Sequence, residues 1–143
     1  MSDVLLFDNS AWSRLWRPEL TAQRCVQIAD WMDEGLVGTC LPFLLEAGYS
    51  ARSASDHLTI MAGLARMPRV PISAEVERHA LQAQEDLARA GHHRMHPVDV
   101  MIAACAHESG SGVLHYDRDY DLLREHTRLR FRSEWLAPAG SLD

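Results

Sequence analysis

The sequence predicts an α/β fold in which a mostly parallel sheet is covered by helices on both faces. Two observations carry that reading. Short apolar runs of strand length alternate with longer stretches of helical period along the whole chain. The runs at 4–7, 36–39 and 113–116 are nearly continuously apolar, the pattern of strands buried on both faces. The size agrees: 143 residues, 47% hydrophobic and 24% charged, suit one globular domain, 1–143, built around one core.

The elements follow in order. VLLF (4–7) reads as a buried strand. Trp12, Leu15 and Trp16 recur at helical spacing. Ala22, Cys25, Val26, Ala29 and Met32 do the same in a second helix closed by Gly35. LVGT (36–39) is a second strand. PFLLEAGYSAR (42–52) is helical, with Pro42 near its first turn, and 54–66 form another helix. RVPI (69–72) is a strand whose proline argues for a sheet edge. Ser73, followed by Glu75 and Glu77, opens a long helix. Its apolar face is Val76, Ala80, Ala83, Leu87 and Ala90. A helix over 98–108, the strand VLHY (113–116), a helix over 118–125 and a last strand LRF (129–131) complete the chain. In a parallel sheet, function collects at the carboxyl ends of the strands.

Composition removes several functions. All 14 basic residues are Arg and none is Lys. A Walker A loop and a Schiff-base enzyme both need a lysine. A phospho-receiver domain also needs one near its acid pocket. A net charge of −6 argues against a non-specific nucleic-acid coat, but not against a nuclease whose metal ions carry the local positive charge. No apolar run approaches the ~20 residues that span a bilayer, and MSDVLLFDNS has no basic leader region. Cys25, Cys40 and Cys105 are expected to be buried free thiols, so a cytoplasmic location is expected.

The acids are the conspicuous feature. Asp8 closes the first strand and Asp117 the fourth, so parallel strands bring both to one sheet edge. Asp99 sits in the first turn of a helix. Glu46 lies inside a helix among Phe43, Leu44, Leu45, Gly48 and Tyr49, which leaves it little exposed face. Singly, Asp8, Asp99, Asp117 and Asp119 also fit helix caps or dipole partners. Together, four acids at these places are compatible with one pocket, and close carboxylates cannot all stay ionised unaided. A divalent cation solves that problem. Oxygen ligands alone favour Mg²⁺ or Mn²⁺ over Zn²⁺.

LLFDNSAW, LPFLLEAGYSAR, HRMHPVDVMIAACA and VLHYDRDYDLL resemble, in order and spacing, the blocks of PIN domains. They are most similar to the VapC toxins of bacterial VapBC toxin–antitoxin pairs, and EWLAP (134–138) resembles their usual ending. The resemblance implies a five-stranded parallel sheet of order 3-2-1-4-5. It also implies a Mg²⁺- or Mn²⁺-dependent endoribonuclease that cuts tRNA or rRNA with water as nucleophile, leaving 5′-phosphate ends. A homodimer and a VapB-type antitoxin partner are implied as well. The family's acidic quartet falls on Asp8, Glu46, Asp99 and Asp117, with Asp119 an auxiliary acid and Ser10 an orienting hydroxyl. Tyr120 stands where DRDF-type members have Phe.

Other residues remain open at this level. Arg14 and Arg118 flank the acidic blocks and are candidates for phosphates of RNA. Tyr116 fits a base-stacking role or core packing, and His115 a proton shuttle or a satisfied interior histidine. His92, His93 and His96 look like a metal cluster but read better as a polar loop. Trp12, Leu15, Trp16, Trp31 and Met32 offer apolar surface for an antitoxin or dimer contact. A HAD-like phosphatase needs a second Asp that DNS lacks. A PIN nuclease outside a toxin pair and a non-catalytic PIN scaffold are the alternative readings.

Overall fold

The computed structural model describes residues 2–142. Five strands, β1 (Leu5–Phe7), β2 (Val37–Cys40), β3 (Arg69–Val70), β4 (Gly112–His115) and β5 (Arg132–Trp135), pair in the order β3-β2-β1-β4-β5. Every pairing is parallel. Seven helices surround the sheet among the described residues: α1 (Asn9–Trp12), α2 (Ala22–Asp33), α3 (Leu41–Tyr49), α4 (Ala54–Leu64), α5 (Ala74–Arg89), α6 (Pro97–Ser109) and α7 (Asp119–His126). The architecture and strand order agree with the expectation. Short β3, ended by Pro71, is at the edge as its proline demanded.

Leu6, Phe7, Val37, Val113 and Leu114 are wholly buried at the centre of the sheet. Helix α6 is nearly as deep: Val100 and Ile102 through Ala106 are all buried. Its small side chains at 103–106 let α3, α5 and α7 pack close around it. Gly110, at φ 68, ends it in the left-handed conformation that glycine adopts without strain. Helix α5 begins where Ser73 accepts the amide of Val76, and Val76, Ala83 and Leu87 form its buried face.

Several details differ from the sequence expectation. The final strand is Arg132–Trp135, three residues later than LRF (129–131). Leu129 and Phe131 are indeed buried, but as loop residues filling the core, while the edge strand itself is only half-buried. The first helix stops at Trp12, where the chain tightens into turns over 13–16, the amides of Arg14 and Leu15 bonding the carbonyls of Ala11 and Trp12 three residues back. Trp16 therefore stands 88% exposed, whereas Trp12 packs edge-on against Phe43.

Helix α2 is rotated from its predicted face. Ile28 is buried, while Cys25, Val26 and Ala29 face solvent. Arg24 draws the helix round by donating to the carbonyls of Trp135 and Leu136 at 2.8 and 2.9 Å and to Glu134 at 2.8 Å. Its guanidinium also lies over Trp31. Only Cys40 and Cys105 of the three thiols are buried. Finally, Leu45 and Tyr49 turn outward, 64% and 92% exposed, so the surroundings of Glu46 are more open than its neighbours in sequence suggested.

One packing constraint is severe. A Cβ on Gly112 would lie 2.7 Å from Leu5 Cδ2 and 2.9 Å from the carbonyl oxygen of Arg132. That oxygen belongs to β5 beside β4 and cannot move without disturbing the ladder. Gly112→Ala is expected to destabilise the protein by about 1–3 kcal/mol in urea unfolding. A change below about 0.5 kcal/mol would mean that the sheet absorbs the methyl group.

Candidate metal centre

The sheet reverses its strand order between β1 and β4, and the crevice beyond their carboxyl ends is the natural binding position. Leu6 pairs with Val113 and Phe7 with Leu114, so both chains leave the sheet side by side. Asp8 follows β1 directly, and Asp117 follows β4 after Tyr116. Asp99 enters from the first turn of α6, Glu46 from the middle of α3 and Asp119 from the start of α7. All five line one open cavity of about 330 Å³, with Asn9, Ser10, Ser13, Arg14, His96 and Tyr116. Larger concavities, of about 670 and 890 Å³, lie elsewhere along 110–132 and 19–141. The acid pocket is distinguished by its chemistry rather than its size.

Its hydrogen bonds are specific. Asp8 caps α1: its Oδ2 accepts from the Ser10 amide at 3.0 Å and from the Ser10 hydroxyl at 2.5 Å. The Ser10 hydroxyl in turn accepts the Tyr116 amide at 2.8 Å, which ties β1 to β4. Asp117 Oδ1 accepts the amide of Asp119 at 2.9 Å. The buried Tyr120 hydroxyl donates to Asp8 Oδ1 at 2.7 Å and lies 3.4 Å from Asp99 Oδ1.

The electrostatics are those of acids crowded together in a partly buried pocket. Asp99 is pushed up to about 8, first by burial and then by the charges of Asp8, Asp117, Asp119 and Glu46. Asp117 is raised mainly by burial, partly offset by the hydrogen bond from the Asp119 amide. Glu46 is raised by burial and by Asp8, with His96 opposing. One oxygen each from Asp99, Asp117 and Asp119 lie within 4.8 Å of one another. Asn9 Oδ1, on the wall of the same cavity, is a buried side-chain oxygen with no hydrogen-bond donor among the described residues. Three converging carboxylate oxygens, mutual repulsion among the acids and an unsatisfied oxygen together fit a hard divalent cation.

The structure thus gathers Asp8, Ser10, Arg14, Glu46, Asp99, Asp117 and Asp119 around one cavity. Arg118 is exposed and is not among the residues lining it. Arg14 donates to the Ser10 carbonyl at 2.9 Å and lies over the Tyr116 ring. Tyr116 is buried and its hydroxyl accepts the Leu142 amide, so its ring serves packing. His115 is held down to about 4 by burial and is neutral. Its Nδ1 accepts the Asp117 amide at 3.1 Å, which leaves Nε2–H to donate to Ser133 at 2.7 Å. It is a satisfied interior histidine. Asp121 completes that chain, accepting from Ser133 and Trp135 at 2.7 and 2.9 Å.

The histidine run occupies a loop and does not converge. His92 packs on His126, 4.7 Å between rings, while His96 alone reaches the acid pocket. Asn9 is thus a lining residue that sequence reasoning missed, and His96 one that it set aside with the polar loop. The signal available for each was adjacency: Asn9 follows Asp8, and His96 caps the helix that carries Asp99.

Strand order and acids together define a class: a parallel α/β domain with a carboxylate pocket at its topological switch point. A PIN domain family model matches residues 5–125. Ribonuclease VapC18 of Mycobacterium tuberculosis is 36% identical over 142 residues, 97% of this chain and 99% of that protein. Ribonuclease VapC51 of the same organism is 34% identical over 138 residues, 96% of each. DNA-bound VapBC from Salmonella typhimurium shares the fold at TM-score 0.72 and 20% identity, over 96% of this chain and 100% of that one. VapBC-5 from Mycobacterium tuberculosis does so at TM-score 0.63 and 21% identity, over 93% and 98%. The chain belongs to the PIN-domain family, and its full-length relatives are VapC ribonucleases.

Proposed function

We propose that the protein is the toxin of a VapBC-type toxin–antitoxin pair, an endoribonuclease that hydrolyses RNA with the help of Mg²⁺ or Mn²⁺. The observation that carries this reading is the trio Asp99, Asp117 and Asp119, whose oxygens lie within 4.8 Å of one another at the switch point of the sheet. These three would hold the cation, with Asp8 and Glu46 beside it, through water or toward a second ion. When bound, the cation supplies a water of lowered pKa and shields the phosphate from the acids.

The remaining roles belong to the chain. Ser10 orients Asp8, and the Asp119 amide orients Asp117. Arg14, on the rim, places positive charge where a scissile phosphate must approach an acidic pocket. His96, next to Glu46, is positioned to meet a phosphate or its waters. Arg118, exposed at the start of α7, fits a more distant phosphate of a long RNA. The substrate class within RNA, tRNA or rRNA, follows from the family resemblance.

A VapB-type antitoxin is the proposed partner, supported by the VapBC complexes that share the fold. A second copy is the proposed homodimer mate. Exposed Leu41, Leu45 and Tyr49, beside Asn9 and Glu46, supply apolar surface for such contacts, as does Trp16. Trp12, Leu15, Trp31 and Met32, proposed for this role on sequence, are partly buried against the core. No helix among the described residues is long and apolar enough to cross a membrane.

Purified antitoxin-free protein tests the reading on total cellular RNA, with Mg²⁺ or Mn²⁺, with EDTA, and with Asp8→Ala as control. Discrete cuts bearing 5′-phosphate ends, lost with EDTA and with the substitution, are expected. Cuts that survive both would show that the acid pocket is not the nuclease site.

A further inference from the structure

Tyr120 is wholly buried, and its ring packs on His115 at 4.7 Å and on Phe131 at 6.3 Å between centroids. A phenylalanine would keep both contacts. The hydroxyl does something a phenylalanine cannot. Asp8 Oδ2 already accepts two hydrogen bonds, from the amide and the hydroxyl of Ser10. Each carboxylate oxygen accepts about two, so Oδ2 is filled. Among the described residues Oδ1 takes one, from Tyr120, which leaves it a single open lone pair. The same hydroxyl stands 3.4 Å from Asp99 Oδ1, so it lies within hydrogen-bond reach of two acids that come from different elements, the end of β1 and the first turn of α6. It enters from α7, the helix that also carries Asp119.

We infer that Tyr120 is a positioning residue of the metal centre: its hydroxyl fixes the Asp8 carboxylate against Asp99 and aims the open lone pair of Oδ1 at the cation. The inference rests on reading the acid pocket as a metal centre. Without the hydroxyl, Asp8 Oδ1 loses its buried donor and the carboxylate is free to turn about its Ser10 anchor. Asp99, Asp117 and Asp119 stay where they are, so the site is loosened rather than destroyed.

The test is a calorimetric titration of RNA-free protein with Mn²⁺, comparing the parent chain with Tyr120→Phe. The expected result is a roughly 10-fold loss of affinity, the scale typical of a removed outer partner. RNA cleavage by the variant should recover toward the parental rate at saturating Mn²⁺, with KM for RNA unchanged, which a general packing defect would not produce. Equal Mn²⁺ affinity in the two folded proteins would overturn the inference and leave the metal centre standing. Failure of the parent to take up Mn²⁺ would overturn both.

A second measurement needs no substitution at Tyr120. Protein labelled with fluorotyrosine carries three signals, from Tyr49, Tyr116 and Tyr120, assignable through Tyr49→Phe and Tyr116→Phe. Added Mg²⁺ should shift the Tyr120 signal. A Tyr120 signal unmoved by saturating Mg²⁺ would also overturn the inference.

Discussion

Asp99→Asn is expected to cut RNA cleavage by more than about 100-fold, since even partners one step removed from a metal cost about 10–100-fold. The same substitution should make the metal-free protein more stable. Asp99 is 7% exposed and faces four other carboxylates, with no basic side chain among the described residues hydrogen-bonded to it. Asn keeps the shape and is neutral without taking up the proton that Asp99 must bind on folding at neutral pH. An increase in Tm of about 3–6 °C in EDTA is expected, equivalent to about 1–2 kcal/mol. The two effects have opposite signs, which separates loss of function at the site from loss of fold. A variant that is both inactive and less stable would assign Asp99 a structural role instead.

The second large effect is a coupling between pH, cation and stability. The folded pKa of Asp99, about 8, lies above its ordinary value of 3.8. Between those values the folded chain holds a proton that the unfolded chain has released. Stability in EDTA is therefore greatest at the acidic end of that window and falls as pH rises toward 8. Asp117 and Glu46 are raised and act in the same direction. His115 acts oppositely: its folded pKa, about 4, lies below 6.5, so its contribution is full above pH 6.5 and is lost as pH falls toward 4.

Between about pH 4 and about pH 6 the Asp99 and His115 contributions largely offset, so the metal-free protein should be nearly level in stability there. From about pH 6 to about pH 9 it should lose about 2 kcal/mol, the roughly two pH units below the folded pKa of Asp99 at about 1.4 kcal/mol each, less the small remaining gain from His115. Mg²⁺ or Mn²⁺ should restore the loss, and the gain in Tm from added cation should increase with pH, because less proton must be displaced. Thermal unfolding across pH, with and without cation, checks this. A Tm in EDTA that rises steadily from pH 6 to pH 9 would contradict the repulsive pocket.

Much of this was legible in the sequence because the relevant physics is local. Alternation of apolar runs and helical periods set the sheet, and Pro71 set its edge. Asp8 and Asp117 could be placed on one edge because parallel strands share their carboxyl end. What escaped depends on contacts distant in sequence. The face of α2 is decided by Arg24 reaching β5 and the chain beyond it, more than 100 residues away. The last strand was misplaced because an edge strand needs little apolar content, while Leu129 and Phe131 are apolar for core filling alone. His96 and the orphan oxygen of Asn9 become site residues only when α6 and α1 meet at the sheet edge. Tyr120 looked like a conservative stand-in for phenylalanine, because sequence does not show where a buried hydroxyl points.

The most direct test is anomalous diffraction from crystals of the protein grown or soaked with MnCl₂. The account predicts a Mn²⁺ peak bounded by Asp99, Asp117 and Asp119, with Asp8 beside it, and its loss in Asp99→Asn. Ordered, saturated crystals with no peak in that pocket, or with a peak that the substitution leaves in place, would contradict it.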